Sequence, residues 1–251
     1  MIEKVFKNCY NVSMRYLMIV QYDGKNYTGF QKQVNGNTIQ NLLEDALRTI
    51  TKEEITTVGS GRTDAKVSAF MQPVHFETDN QIDANKVLNS LNGILPADIK
   101  VLSLFQSGIH ARFDAKRKTY CYKMYVSNMD LPLYSNALRI NPNLDFKAMK
   151  KFLHLIVGTH DFKGFRSSGS KTETTVRTIY SAKLKKENQY LNFYITGNGF
   201  LYKMVRNIVG TMLKIGEGKL NLKELKPTLF TTFKATNTAK PEFLYLMNVE
   251  Y

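Results

Sequence analysis

Hydrophobic positions in the first half of the chain recur with two periods, one typical of strands and one typical of helices. A helix is predicted over residues 39–50, behind the capping residues Asn37 and Thr38, and a second begins near residue 83 and stops before Pro96. Pro73 predicts an edge strand or a β-bulge, because proline has no N–H to donate to a ladder. Strands are predicted over residues 16–22, 55–58, 70–78, 99–105 and 109–113.

The second half of the chain shows the same two periods. Strict alternation over residues 119–126 places Tyr120, Tyr122 and Met124 on one face of a strand, where a tyrosine is usually part of the core. The remaining elements are predicted as strands over residues 176–186, 190–197 and 242–251 and helices over residues 145–158 and 201–213.

This order of elements predicts the α+β fold class. We expect two similar α+β halves, residues 14–113 and 114–251, with mixed, mainly antiparallel sheets flanked by helices. Sequence identity between the halves is too weak to prove a duplication. Residues 1–13 precede the first strand and are expected to be an N-terminal extension, although a short extra strand or an alternative start codon at Met14 would look identical.

The main candidate for chemistry is the stretch over residues 59–69, which follows the strand over residues 55–58. Its two glycines free the backbone for a tight exit, so that Arg62, Thr63 and Asp64 are presented on a loop at a strand end. Loops on a rigid sheet are where catalytic groups concentrate. The simpler interpretation is that Thr63 or Asp64 caps a short helix beginning at Ala65.

Two further stretches contain candidate binding residues. Arg206 lies off the centre of the apolar face of the last predicted helix, where an arginine is normally solvated, but Gly210 one turn later leaves room for a close partner. The loop over residues 166–171 is small, polar and basic, so that it is either flexible or follows a phosphate backbone.

The charge balance indicates an acidic partner. The 251 residues include 35 Lys and Arg against 21 Asp and Glu, a net charge of +14. Nucleic acid fits best, because the 14 Tyr and 15 Phe can stack on bases beside phosphate-binding cations. A membrane is disfavoured, because no apolar stretch approaches the roughly 20 residues needed to span one. The N-terminus also has no signal-peptide pattern.

Cysteine and histidine usage argues against a metal site. Cys9 and Cys121 have no second Cys or His at ligand spacing, so they form neither a disulfide framework nor a metal centre, and a cytoplasmic location is expected. His75 lies in a predicted strand, where a structural role is favoured. The sequence also has no glycine-rich fingerprint for a nucleotide cofactor, so none is expected.

Several short motifs occur in a fixed order over nearly the whole chain. They are Tyr22-Asp23-Gly24 with Gly29-Phe30-Gln31, Gly61-Arg62-Thr63-Asp64-Ala65 with Gln72 and His75-Phe76, His110-Ala111-Arg112-Phe113, Tyr120 with Tyr122, and Phe200 with Met204-Val205-Arg206-Asn207-Ile208-Val209-Gly210. In this order they resemble the motifs of the TruA family of tRNA pseudouridine synthases. The resemblance implies an isomerase that converts uridine to pseudouridine on the 3′ side of the anticodon stem-loop of tRNA.

The resemblance also implies roles for individual residues. Asp64 matches the catalytic aspartate, which acts as a nucleophile or as a base, and Arg206 matches the arginine that pairs with it. Tyr120 matches the tyrosine that packs against the target uracil. Arg62, beside Asp64, is placed either to hold the phosphate of the extruded nucleotide or to occupy the space that it vacates. The family further implies a homodimer with an active-site cleft between the two halves of the fold, and neither a metal nor a cofactor.

The sequence departs from the family pattern at four positions, and other functions remain open. Lys66 and Ser68 stand where glycine and histidine are usual, Pro73 follows Gln72, and Phe30 replaces a tryptophan. One alternative is a catalytically silent RNA-binding protein with the same fold. Another is a nucleoside hydrolase, which should use additional carboxylates and a metal.

Overall fold

A computed structural model describes residues 13–169 and 172–251, and in this part of the chain ten strands form one sheet. The strands are β1 Met14–Tyr22, β2 Thr57–Gly59, β3 Ser68–Thr78, β4 Ile99–Gln106, β5 Arg117–Val126, β6 Leu138–Ile140, β7 Gly158–Asp161, β8 Val176–Glu187, β9 Tyr190–Gly197 and β10 Leu244–Glu250. The α-helices are α1 Ile39–Thr51, α2 Ala84–Ile94, α3 Phe146–Leu155, α4 Met204–Gly216 and the single turn α5 Leu222–Leu225.

The strand order makes both halves of the chain share this sheet. Along it the strands run β4-β1-β3-β10-β5-β9-β8-β7, with β2 added beside β3 and β6 beside β5. The pairs are antiparallel except β10 with β3 and β5 with β6. The last strand therefore joins the two halves, because Tyr245 lies opposite Ser68 and Leu246 lies opposite Tyr120. The predicted α+β class is confirmed, with one continuous sheet in place of one sheet per half.

Side chains cap the N-termini of α1, α2, α3 and α5, whereas α4 begins after Lys203 without a side-chain cap. Thr38 caps α1 by accepting a hydrogen bond from the Asn41 N–H, as its sequence predicts, and Ile39, Leu43 and Leu47 are fully buried on the inner face. In the second half α3 and α4 pack against each other, and α3 also contacts β8. Their apolar side chains belong to the same core as those of the first half. Among the described residues no helix is both long and apolar enough to cross a membrane.

Two local predictions are wrong. Residues 109–113 do not form a strand but a turn, closed by hydrogen bonds from the His110 N–H to the Asp114 carboxylate and from the Asp114 N–H to the His110 carbonyl. Pro73 lies inside β3 in continuous register with Ile19 of β1, neither at an edge nor in a bulge. Proline is tolerated because β3 changes partner there on its other side, from β10 to β2, so that no ladder requires its N–H.

Two sequence predictions fall wholly or partly outside the described residues. The proposed extension over residues 1–13 is described only at its last position, and β1 begins at Met14. The polar loop over residues 166–171 is described as far as residue 169.

Candidate active site

A loop over residues 60–67, here called the Asp64 loop, follows β2 and is anchored to β3 at its start. The Ser60 N–H donates to the Pro73 carbonyl at 2.9 Å. The buried side-chain amide of Gln72 binds both backbone groups of Gly61, donating to its carbonyl at 2.5 Å and accepting from its N–H at 3.3 Å. Because β3 is an interior strand, these bonds hold the loop on a rigid support.

Aromatic residues of the first half pack against the Asp64 loop. The Tyr22 and Thr63 hydroxyls lie 2.7 Å apart in a buried hydrogen bond, and the Phe30 N–H donates to the Thr63 carbonyl at 3.1 Å. A Cβ at Gly59 would lie 2.5 Å from a carbon of the Phe30 ring, so glycine is needed there for a close approach. Phe30, a departure from the family pattern, is therefore part of the support of this loop.

The Asp64 loop ends in a turn, not in a helix. The Val67 N–H donates to the Asp64 carbonyl at 3.1 Å, and no helix begins at Ala65, so the capping interpretation of Thr63 and Asp64 is wrong. Lys66 has a φ of 66° in this turn. This left-handed conformation favours glycine, the residue usual in the family at this position, and costs a residue with a Cβ roughly 1 kcal/mol.

Asp64 and Arg206 are brought together across the fold. The Arg206 Nη1 donates to the Asp64 Oδ2 at 2.9 Å, and the two side chains are only 11% and 16% exposed, respectively. The Arg206 Nε donates to the Ala239 carbonyl at 2.8 Å, which fixes the direction of the guanidinium. A charge-assisted hydrogen bond of this kind is stronger than one between neutral groups, and it orients the Asp64 carboxylate.

Helix α4 holds Arg206 in this position through a close backbone contact. A Cβ at Gly210 would lie 2.1 Å from the Asn237 carbonyl oxygen, so the partner for which Gly210 leaves room is the backbone of the segment over residues 237–239. The Ala239 N–H also donates to the Arg206 carbonyl at 3.1 Å. The same short segment therefore orients both the backbone and the side chain of Arg206.

Tyr120 lies on β5 beside the Asp64 loop. Its ring is 9% exposed and meets the Phe200 ring edge to face at 5.3 Å. A Cβ at Gly61 would be 3.5 Å from the Tyr120 hydroxyl. Burial, and to a lesser extent the negative charge of Asp64, raise the pKa of Tyr120 far above its usual range, so the phenol is neutral.

These groups line a cleft of about 280 Å³, which also includes Arg62. Arg62 is exposed, and among the described residues none forms a hydrogen bond or an ion pair with its side chain. Asp64 is the single carboxylate among the described residues that line the cleft. Its cationic lining residues are Arg62, Arg112, Lys118, Arg166, Arg177, Lys203 and Arg206. A cleft with this charge distribution attracts a polyanion.

The sequence analysis did not identify Lys118 as a residue of the site. Lys118 lies in β5, two positions before Tyr120. Because alternate residues of a strand point to the same side, the two side chains share one face. Its ammonium donates a hydrogen bond to the Ser60 carbonyl. Burial and the neighbouring Arg112 lower the pKa of Lys118 to about 8. The available signal was the alternation over residues 119–126, because extending it by one residue places Lys118 on the same face as Tyr120.

The described residues contain no cluster of three or more His, Cys, Asp or Glu side chains that could hold a metal ion. His75 is buried, and its Nδ1 accepts a hydrogen bond from the Ala111 N–H at 3.0 Å. Burial and the nearby His110 and Arg15 lower the pKa of His75 to about 4, so that it is neutral near pH 7. These contacts agree with a structural role for His75.

Comparison with known proteins decides the family. The model of a family described as tRNA pseudouridine synthase matches residues 18–114 and 153–251, which include the Asp64 loop, Arg62 and Arg206. The chain belongs to this family. Tyr120, on β5, lies between the two matched ranges.

Individual relatives align with this synthase over almost their full lengths. Proteins named tRNA pseudouridine synthase A from Thermoanaerobacter sp. strain X514 and from Acetivibrio thermocellus are each 40% identical to it. The alignments cover 95% and 93% of this chain and 100% and 98% of those relatives, respectively. A relative of the same name from Exiguobacterium sp. is 37% identical over 94% of this chain and 98% of its own length. The predicted enzyme class, an isomerase acting on tRNA, is confirmed.

Proposed function

We propose that this synthase forms pseudouridine on the 3′ side of the anticodon stem-loop of tRNA, with Asp64 as the catalytic carboxylate. The observation that carries the proposal is the 2.9 Å contact between Asp64 and Arg206 inside a cleft lined by cations. The guanidinium orients the carboxylate, and the cationic walls favour a polyanionic substrate. The position of the target uridine is inferred from the family resemblance.

The reaction breaks the bond between N1 and C1′, turns the uracil within the site and joins C5 to C1′. The proton that leaves C5 is balanced by the one gained at N1, so the net change requires no redox partner, water or cofactor. Asp64 either attacks C1′ as a nucleophile or removes a proton from C2′, and both routes need an ionised carboxylate beside the ribose. Arg206 orients that carboxylate by donating a hydrogen bond to its Oδ2.

The remaining cleft residues bind the extruded nucleotide. The uracil stacks on the neutral ring of Tyr120, which packs edge to face with the ring of Phe200. Arg62 is exposed next to Asp64 and either binds a phosphate of the extruded nucleotide or fills the space that it vacates. Extrusion costs a few kcal/mol, which contacts of this kind offset.

The alternatives make different predictions for Asp64→Asn, which keeps the shape of the side chain and removes its charge. We expect this variant to release no tritium from tRNA labelled at C5 of uridine, with its fold and tRNA affinity nearly intact. A silent RNA-binding protein predicts no tritium release from the parent protein either. A nucleoside hydrolase predicts free uracil in place of a rearranged nucleotide.

A matched control is Asp130→Asn. Asp130 also pairs with an arginine, since its Oδ1 lies 2.8 Å from the Arg139 Nε, but it is exposed and lies outside the cleft lining. We expect this control to release tritium at the parent rate. Tritium release by Asp64→Asn at that same rate contradicts the proposed catalytic role.

The proposal also covers the two halves of the fold, the oligomeric state and the location of the protein. The halves over residues 14–113 and 114–251 each contribute one member of the Asp64 and Arg206 pair. We further propose a homodimer and a cytoplasmic location, on the strength of the family resemblance and of a substrate that is tRNA. Sedimentation of the parent protein measures the oligomeric state.

A further inference from the structure

Three aromatic rings form a ladder that leads from the sheet to the solvent. The His75 and His110 ring centroids are 4.4 Å apart, and those of His110 and Phe113 are 4.3 Å apart with an angle of 24° between the ring planes. His75, at the inner end, is 4% exposed, whereas Phe113, at the outer end, is 75% exposed. One face of the Phe113 ring is therefore supported by another ring, while most of its surface remains in water.

The backbone turn fixes the outer end of this ladder. The Nδ1 of His110 accepts hydrogen bonds from the Phe113 N–H at 3.1 Å and from the Arg112 N–H at 3.3 Å. The His110 N–H donates to the Asp114 carboxylate at 2.7 Å, and the Ala111 N–H donates to His75. Because these bonds and the stacked His110 restrain Phe113, binding a flat partner costs little conformational entropy.

One cation, Arg112, lies over the exposed ring. The Arg112 guanidinium carbon lies 5.7 Å from the Phe113 ring centroid, and Arg112 also lines the cleft that contains Asp64. Lys116 and Arg117 follow in the sequence and are exposed. Aromatic rings among backbone-binding cations are the arrangement with which proteins bind unpaired nucleotides.

We propose that Phe113 is a stacking site for a nucleobase of the bound RNA next to the extruded uridine. The inference rests on the proposed function, since it takes the RNA as the occupant. A second copy of the chain is the other candidate occupant of an exposed phenylalanine. The charge argues against it, because a symmetric contact through Phe113 would bring the Arg112 groups of two copies together.

The chain contains no tryptophan, so Phe113→Trp introduces a single tryptophan at this site, whose fluorescence can be excited selectively over that of the tyrosines. We expect an unmodified anticodon stem-loop RNA to quench this fluorescence in a saturable titration. The matched control is Leu133→Trp, because Leu133 is 91% exposed and lies outside the cleft lining, and its fluorescence should change little. Equal quenching in both variants, or none in Phe113→Trp at an RNA concentration that saturates the parent, overturns the proposal.

Substitution tests the energetic part of the proposal. Phe113→Ala should bind the stem-loop about 5- to 150-fold more weakly, the range typical of one lost base stack, and Phe113→Tyr should bind like the parent. Phe113 is exposed, so unfolding of the alanine variant is not expected, and circular dichroism checks this. Parent-like affinity of Phe113→Ala overturns the stacking site.

The remaining outcomes distinguish RNA from a second copy of the chain as the partner of Phe113. They also distinguish a failure of the stacking site from a failure of the proposed function. A dimer that dissociates in Phe113→Ala, or a Phe113→Trp signal that changes with protein concentration in the absence of RNA, assigns the ring to a second copy and overturns the proposal. A parent protein that binds RNA but releases no tritium refutes the proposed function. An active parent with unchanged affinity in Phe113→Ala refutes only the stacking site.

Discussion

At the scale of single residues, Lys118 connects the second half of the chain to the Asp64 loop. Its ammonium donates to the Ser60 carbonyl at the start of the loop, while Arg206 holds Asp64 further along. Arg62 lies between these two anchored points and is exposed. We therefore expect Lys118 to act as a positioning residue that sets the geometry of the loop, beyond adding positive charge to the cleft.

We predict that Lys118→Met lowers kcat with little change in tRNA affinity, whereas Lys118→Arg retains most of the activity because a guanidinium also donates to a carbonyl. The pKa of about 8 gives this prediction a pH dependence, since the parent loses the ammonium as the pH rises through that value. The kcat/KM of the parent should fall above about pH 8, and Lys118→Arg should lack this decline because arginine stays charged.

Lys116→Met is the matched control for Lys118. Lys116 lies two positions before Lys118 but is exposed and outside the cleft lining, so kcat at saturating tRNA should be unchanged. If Lys118→Met weakened tRNA binding and left kcat intact, Lys118 would be a phosphate contact and not a positioning residue.

Tyr120 is tested by variants that separate stacking from packing. Tyr120→Phe keeps the ring and should retain activity. Tyr120→Leu keeps most of the buried volume against Phe200 and should lose about 1–3 kcal/mol of transition-state stabilisation in kcat/KM, the usual range for a base stack. Tyr120→Ala also leaves a cavity, so its loss of activity should include a loss of stability. A parent-like kcat/KM in Tyr120→Leu would mean that Tyr120 is an ordinary core residue and does not stack on the uracil.

At the scale of elements, α4 and the segment over residues 237–239 must approach each other closely for Arg206 to reach Asp64. Gly210→Ala places a Cβ against the Asn237 carbonyl oxygen. Because this oxygen belongs to the backbone, it cannot move aside as the end of a flexible side chain could. We predict a loss of about 1–3 kcal/mol in the free energy of unfolding, together with lower activity because Arg206 is displaced.

Gly93→Ala in α2 is the matched control for Gly210→Ala. A Cβ at Gly93 meets nothing within 4 Å, so this variant should gain up to about 1 kcal/mol from helix propensity and keep full activity. Denaturant unfolding of both variants measures the difference. Equal stabilities would mean that the contact between α4 and residue 237 is not close.

At the scale of the whole molecule, the net charge of +14 and the cationic cleft predict binding that weakens steeply with salt. Each phosphate contact should add roughly 0.7–0.9 to the slope of log affinity against log salt. Arg112→Ala should reduce that slope by about one such contact. Arg48→Ala, a surface change on α1 where Arg48 pairs with Asp45, should leave it unchanged. A flat salt response of the parent contradicts binding in this cleft.

Elements whose determinants are local were predictable from the sequence. The cap at Thr38 and the apolar stripe behind it lie within one stretch of chain, and so does the alternation that predicts β5. Residues 109–113 were not predictable in this way, although their apolar residues alternate like those of a strand. Their backbone is held by hydrogen bonds to His75 of β3 and to the Asp114 carboxylate. The spacing of hydrophobic residues in the sequence indicates neither of these contacts.

The candidate site was likewise only partly predictable from the sequence. The strand end, the glycines and the family motifs were enough to select Asp64, Arg62, Tyr120 and Arg206 as candidates. Only the tertiary structure decided that Asp64 meets Arg206 from 142 positions away, and that Lys118 reaches Ser60 across 58 positions. The single sheet brings these residues together, because β10 returns between β3 and β5. Strand pairing of this kind depends on the whole core, whereas a sequence pattern reports only which face of its own element each residue occupies.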